Sequence, residues 1–353
     1  MLSLKNLRGL LLLPVVLLAG CGTVLLNASG DVAVQQGRLI VVSTILMLLI
    51  IVPVIVLTFF FAWRYRQSNK DAPYDPEWDH STQIELAIWA APLLIIIALG
   101  AVTWISTHTL DPYRPLDRID ANRPVPADAK PLVVEVVALD WKWLFIYPEQ
   151  GIATVNEMAA PVDRPIRFKI TSSSVMNSFY IPALAGQIYA MPGMQTQLNA
   201  VINHPGEFDG FSANYSGAGF SGMRFKFHGV ATAADFDRWV EKARSAGGQL
   251  TREGYLELER PSEREPVRRY AAVASDLYEA ILNRCVDRSK MCQNQMMAID
   301  AEGGMGMPGS FNVATKPWRP AEKNSPLRTY VASMCTVDES VAAASNAATS
   351  IRE

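Results

Sequence analysis

Histidine and cysteine are scarce in this chain, with four of each in 353 residues. The histidines stand singly at positions 80, 108, 204 and 228, so no His-rich or Cys-His cluster with metal-ligand spacing is written into the sequence. His204 and His228 are the one pair that could meet around a metal, and isolated loop histidines are the plainer reading. Charge is scarce too: Asp, Glu, Lys and Arg make up 19% of the chain, with a formal net charge of -2. Without a basic face to neutralise phosphates, nucleic acid is excluded as a partner. Beyond about residue 105 there is no long apolar run, although hydrophobic residues make up 50% of the whole. The apolar excess is packed into the N-terminal third, as in a membrane protein with a large soluble part.

Lys5 and Arg8 precede an apolar run from Leu10 to Leu18 that contains Pro14 and leads into Leu18-Ala19-Gly20-Cys21. Residues 1–20 read as a secretory signal, too short for a mature membrane span. Leu-Ala-Gly-Cys resembles the bacterial lipobox, which makes Cys21 the candidate lipidation site and palmitate a candidate modification. A plain signal peptide, or a first membrane helix with an incidental cysteine, is the alternative. Two longer apolar segments follow, about 39–63 and 84–105, each giving a helix of more than about 30 Å. Arg64, Arg66 and Lys70 follow the first span and favour the cytoplasmic side. Residues 21–107 therefore form a two-helix transmembrane hairpin with both ends outside the cell membrane, and everything after it is periplasmic. His80 and His108 flank the second span on opposite sides and cannot meet. Pro53 and Pro92 lie inside the spans, where neighbouring helices re-satisfy the freed backbone groups.

Residues 108–130 are rich in Pro and Asp and read as a linker. Strand-like runs then begin at Leu132, Trp141, Ile166 and Arg224, with Pro and Gly between them, which indicates a β-sandwich over 131–230. An amphipathic helix at 234–246 opens a helical extension that runs to 285, with Phe236, Trp239, Val240 and Ala243 on one face. The fold class is thus membrane-anchored all-β: a transmembrane hairpin, a sandwich and a short helical C-terminal extension. Residues 286–353 are Met-rich and then small and polar, and read as a poorly ordered tail. Met291, Met296, Met297, Met305 and Met307 could hold Cu(I) through thioethers, but a flexible tail is the plainer reading. Cys285 and Cys292 would lie about 10.5 Å apart on one straight helix, beyond bridging range. Either that helix breaks or one of them pairs with Cys335, and both alternatives stay open.

The most informative stretches are 175–182, 187–194 and 212–223. Their order and spacing, with Asn177, Pro182, Met191-Pro-Gly193, Ser212, Asn214, Ser216, Phe220 and Met223, resemble the cupredoxin domain of subunit II in haem-copper respiratory oxidases. In the copper-bearing members a dinuclear copper centre is held by a His, then Cys-x3-Cys-x3-His-x2-Met, with a backbone carbonyl between the cysteines. Carried over, the first His falls on Asn177, the cysteines on Ser212 and Ser216, the carbonyl on Asn214, and the second His on Phe220. Only Met223 survives. Hydroxyls cannot replace bridging thiolates for copper, and a phenyl ring offers no lone pair. The resemblance, over roughly 18–285, is therefore to the copper-free subunit II of cytochrome bo-type ubiquinol oxidases.

That resemblance implies a non-catalytic subunit of a proton-pumping respiratory electron-transport complex in the bacterial inner membrane. The complex oxidises ubiquinol and reduces oxygen to water. It implies no metal or cofactor in this chain. Two haems, of b and o type, one active-site copper and ubiquinol would reside in subunit I, with subunits III and IV and membrane lipids as further partners. Glu85 looks like the family carboxylate that admits protons at the cytoplasmic side; Thr82-Gln-Ile-Glu85 also fits a capping box, and the two readings are compatible. Asp140-Trp141-Lys142-Trp143 resembles the aromatic motif at the cytochrome docking face of cytochrome c oxidases, and here Trp141 and Trp143 read as packing. Tyr189, Tyr215 and Phe220 are expected to fill the former copper pocket, since a cavity there would cost stability. The rival readings are a copper-carrying cytochrome c oxidase subunit II and a free-standing cupredoxin-like membrane lipoprotein. Ubiquinol and menaquinol are not separable from the residues alone.

Overall fold

The structure is a computed structural model that describes residues 24–73 and 75–301. Cys21, Cys335, the signal segment and the tail from 302 onward lie outside the described residues. Helix α1 runs Asp31–Arg64 and helix α2 runs Thr82–Thr109. Both begin earlier than the apolar runs alone indicate, and α2 also ends later, because polar turns at their ends continue the helical backbone. At 1.5 Å per residue they are about 50 and about 42 Å long. Their mean hydropathies over 18 residues are 3.2 and 2.4, long and apolar enough to cross a membrane, and apart from Val32 and Ala33 at the start of α1 their apolar side chains are at least partly exposed.

Helix α1 is clamped to the soluble domain where it starts. Gly30 N–H and Ser29 N–H both donate to the Ala183 carbonyl, and a Cβ at Gly30 would press on the Leu184 and Val201 carbonyls. Asp31, 7% exposed, takes a bidentate bond from the Arg118 guanidinium at 2.8 and 3.1 Å. Arg118 belongs to a short hairpin, β1 (Arg118–Asp120) with β2 (Arg123–Pro124), inside what the composition presents as a structureless linker.

The strands that follow are β3 (Leu132–Leu139), β4 (Lys142–Tyr147), β5 (Ile152–Val155), β6 (Glu157–Pro161), β7 (Ile166–Ser172), β8 (Asn177–Tyr180), β9 (Ile188–Ala190), β10 (Thr196–Ala200), β11 (Gly206–Ser212) and β12 (Arg224–Val230). They build two sheets. One has the order β6-β12-β11-β8-β9. The other has the order β10-β7-β3-β4-β5 and is completed at its edge by β14 (Arg268–Tyr270), from the extension. Between the sheets lies an aromatic core of Trp143, Phe145, Phe168, Phe179, Phe225 and Phe227.

The second sheet is buried on both faces, which explains why β3 reads as a nearly unbroken apolar run. Leu132, Val134, Val136 and Ala138 face the inter-sheet core, while Val137 and Leu139 face a second core built from the extension. The extension comprises α3 (Ala233–Ser245), β13 (Gln249–Leu250), α4 (Arg252–Glu259), β14, β15 (Ala272–Val273) and α5 (Leu277–Leu282). Leu250, Tyr255, Leu258, Leu277, Tyr278 and Ile281 supply that core. It is therefore a mixed helix-and-strand layer that shares the sandwich's core, not a purely helical appendage.

The first part of the expected tail is ordered. Helix α5 ends at Leu282, Arg284 turns the chain at φ 56°, and Cys285 and Cys292 come within a Cα–Cα distance of 4.8 Å as a disulfide. Helix α6 then runs Gln293–Ala301, and Met291 is buried. The break of the helix thus decides between the two pairings, and it takes Met291 out of any exposed thioether cluster.

A charged joint ties extension and sandwich. Glu157 on β6, 8% exposed, receives Arg269 of β14 at 2.6 and 2.8 Å and His228 Nε2 of β12 at 3.2 Å. Burial alone would raise its pKa; the hydrogen bond from His228 and the Arg269 charge outweigh that and hold it below the ordinary 4.5. A depressed carboxyl pKa contributes stability that is complete above the ordinary value and is lost as pH falls through the lowered one. Glu157→Gln is therefore expected to cost about 2 kcal/mol at neutral pH, less than for a wholly buried pair because Arg269 keeps some water. Thermal denaturation as a function of pH should show a lower Tm for the variant at pH 7 and a flatter acid limb below 4.5. An unchanged acid limb would contradict this role.

Candidate functional site

Asn177 opens β8 and Ser212 closes β11; both side chains are buried and face one another. The Ser212 hydroxyl lies 3.1 Å from Asn177 Oδ1 and 3.2 Å from the Asn214 carbonyl, while Asn177 Nδ2 donates to the Val175 carbonyl at 3.2 Å. Asn214 Nδ2 in turn donates to the Met176 carbonyl at 3.1 Å. The fold thus brings Asn177, Ser212 and Asn214 together and joins them to one another and to nearby backbone. Met223, 1% exposed, points into the aromatic core, and its carbonyl accepts from Ser212 N–H at 3.2 Å. Ser216 and Phe220 lie further round the loop. The Phe220 ring packs edge-on against Tyr215, with centroids 5.6 Å apart.

A dinuclear copper centre does not fit this donor set. One thioether remains, no thiolate is present, the Ser212 hydroxyl and Asn177 carboxamide are engaged with each other, and Phe220 has no lone pair. The hollow left at the surface, about 330 Å3, is bordered by Phe211, Ser212, Phe220 and Met223. Tyr189 and Tyr215 do not fill it as expected: they are 48% and 75% exposed and point outward. Phe220, the third residue expected there, borders the hollow together with Met223 and leaves it open.

Trp141 holds the loop from below. It occupies the two-residue turn between β3 and β4 at φ 68°, a left-handed conformation that is unfavourable for a bulky residue. Its indole Nε1 donates to the Ser216 carbonyl at 3.1 Å, and its ring lies against Gly217 and Gly219, where a Cβ on Gly219 would overlap it. Trp143, two residues on, is fully buried and meets Phe179 and Phe225 edge-on.

Lys142 between them escapes a reading of the sequence. A lysine in an alternating strand reads as solvent-facing, yet it is 1% exposed and donates to the Arg260 carbonyl and Ser262 Oγ, both at 2.7 Å. Burial lowers its pKa, opposed by the nearby Glu265 carboxylate. The only signal was its place in a strand that is covered on both faces.

Glu85 lies exposed in the first turn of α2, at the helix end remote from the sandwich. The capping box expected of Thr82 and Glu85 is not formed. Ser81 is the N-cap, Thr82 is already helical, and Glu85 donates its N–H to the Ser81 carbonyl without a side-chain bond back to the cap. His228 binds Glu157, His204 lies exposed, and among the described residues no group of three or more His, Cys, Asp or Glu could hold a metal.

Residues 149–230 match the family described as cytochrome c oxidase subunit II, periplasmic domain, and residues 244–289 match the COX aromatic rich motif. The chain is 52% identical over 273 residues to the cytochrome bo(3) ubiquinol oxidase subunit 2 of Pseudomonas putida, covering 77% of this chain and 83% of that one. It is 50% identical to the ubiquinol oxidase subunit 2 of Acetobacter aceti, over 80% of this chain and 92% of that one. To the quinol oxidase subunit 2 of Bacillus subtilis it is 40% identical, over 73% and 79%.

The contact between Trp141 and the loop gives a test. Gly219→Ala is expected to force the indole aside and cost roughly 1–3 kcal/mol, as overpacking does. The readouts are a lower Tm and red-shifted tryptophan emission, and unchanged emission would show that the indole does not support the loop.

Proposed function

Since the chain belongs to the subunit II family of haem-copper terminal oxidases, in its ubiquinol oxidase branch, we propose that it anchors and caps the haem-bearing subunit without itself carrying electrons. The observation that carries this reading is the donor set of the vacated loop, where a serine–asparagine hydrogen bond stands in place of thiolates. Quinol oxidation, oxygen reduction and the associated proton pumping then fall to subunit I, with its two haems and active-site copper. Trp141 has no acceptor behind it, and its indole acts as a support of the loop. A copper-carrying cytochrome c oxidase subunit would need thiolates at Ser212 and Ser216, which speaks against that rival.

The exposed apolar faces of α1 and α2 are the surfaces that subunit I and membrane lipids would cover. Arg64 and Arg66 at the far end of α1 support a cytoplasmic loop, and with it a periplasmic sandwich and Glu85 at the cytoplasmic end of α2. Cys21, ten residues before α1, would carry the lipid anchor, so the chain would be held at the outer face by acyl chains and two spans. Glu85 is exposed and makes no side-chain cap, which leaves its carboxylate free to serve proton uptake by the partner.

The test is to tag this chain, purify the complex from membranes in mild detergent, and measure haem, copper, oxygen uptake and the intact mass of the chain. Stoichiometric haem, a single copper, uptake on ubiquinol alone and a mass carrying acyl groups are expected. Additional copper together with cytochrome c activity would overturn the reading, and so would a haem-free chain that purifies alone. For Glu85→Gln, assembly is expected to persist while turnover and proton uptake slow; wild-type turnover in the assembled variant would remove Glu85 from the proton path.

A further inference from the structure

The chain doubles back on itself just before helix α1 begins. Ser29 and Gly30 are pinned to the sandwich, by their bonds to the Ala183 carbonyl and by Asn203 N–H, which donates to the Ser29 carbonyl at 2.8 Å. Five residues upstream of Gly30, the Leu25 carbonyl lies against Gly37, where a Cβ would stand 2.8 Å from it. Gly37 is six residues into α1, about 9 Å along the axis from Asp31. Residues 25–30 therefore return alongside the first turns of the helix, and Gly37 is the notch that admits their backbone. Gly37 is buried, while its neighbour Arg38 is exposed.

That contact sets a depth. Arg38 is the last charged residue before the apolar span that starts at Leu39, so Gly37 and Leu25 stand where the helix enters the hydrocarbon. Val24 and Leu26, 53% and 61% exposed, present apolar side chains at the same level. Cys21 is four residues before Leu25, a reach of at most about 14 Å. On the side of α1 that Gly37 marks, Val41, Thr44 and Leu48 follow at helical spacing, and all three are exposed. Val41 and Thr44 lie about 6 and about 10 Å below Gly37, within the outer half of a hydrocarbon core about 30 Å thick.

We infer that the acyl chains carried by Cys21 pack along this face of α1, so that the chain's own lipid, and not a helix of the partner subunit, covers Val41 and Thr44. The inference rests on the reading of Cys21 as lipidated. Pinned at Gly30 alone, the anchor would hang on a tether of nine residues. The contact of Leu25 with Gly37 shortens the tether to four and starts it on one side of the helix, which raises the effective concentration of the lipid at that face. A partner helix lying along the same face would meet residues 24–26 at its outer end.

The experiment uses the assembled complex, with the photoreactive p-benzoylphenylalanine incorporated in place of Thr44 and the membranes irradiated before purification. Digestion and mass spectrometry are expected to show the α1 peptide joined to the lipid of the Cys21 peptide. The same probe in place of Leu46, on the opposite side of the helix, is expected to give roughly a tenth of that yield. Gly37→Leu closes the notch and is expected to lower the Thr44 yield roughly tenfold while the lipid mass of the chain stays unchanged. If Gly37→Leu does not assemble, Gly37→Ala, whose Cβ still meets the Leu25 carbonyl, takes its place with the same expectation. The intact mass of the chain is read on the same sample. A mass without acyl groups would overturn the lipidated reading of Cys21 and this inference with it. A lipidated chain whose Thr44 probe joins the partner subunit or free phospholipid instead, equal yields from Thr44 and Leu46, or an unchanged yield in the Gly37 variant would overturn the inference alone.

Discussion

The Phe179 and Phe225 rings lie stacked with centroids 5.4 Å apart and planes only 5° from parallel. One belongs to β8 and the other to β12, on either side of β11. The stack therefore spans the strands that lead into and out of the vacated loop. Trp143 and Phe145 pack onto it from the opposite sheet, so the aromatic core sets the distance between the two sheets at that end. Hydrophobic contact is non-directional, yet rings of this size with few alternative arrangements fix strand positions closely. In a copper-bearing relative, metal bonds would cross-link the same loops. Here the packing below them, the indole of Trp141 and the Asn177–Ser212 bond hold them instead.

Much of this was legible in the residues. The two apolar spans and the sandwich over 131–230 follow from hydropathy and alternation, and the substituted metal positions follow from the resemblance to the subunit II cupredoxin domain. Less legible were features that depend on partners far away in the chain. Lys142 looks like a surface residue until the extension covers it, and Glu157 shows nothing of its role until Arg269 arrives from β14. The extension reads as helical because its helices are periodic, while its three strands are two or three residues long, too short to carry a pattern. Tyr215 misleads in the opposite way, since an aromatic side chain at a loop tip can turn to solvent and leave the space beneath it open.

Electrostatics and packing divide the work in this molecule. Apolar burial makes each sheet face adhere, but it cannot say which layer lies on which. The directional choices fall to a few buried charges: Asp31 with Arg118 where the first helix meets the domain, Glu157 with Arg269 and His228 where the extension meets the sandwich, and Lys142 on the Arg260 carbonyl. Each joins segments distant in sequence, and each would leave an uncompensated charge if the layers slid apart.

The bridge between Cys285 and Cys292 bears on how the protein is made. Thiols stay reduced in the bacterial cytosol and oxidise beyond it. With the sandwich on the periplasmic side, as proposed, the last loop of the extension closes only after that part of the chain has crossed the membrane, so the maturity of this subunit depends on the redox state of the compartment that receives it.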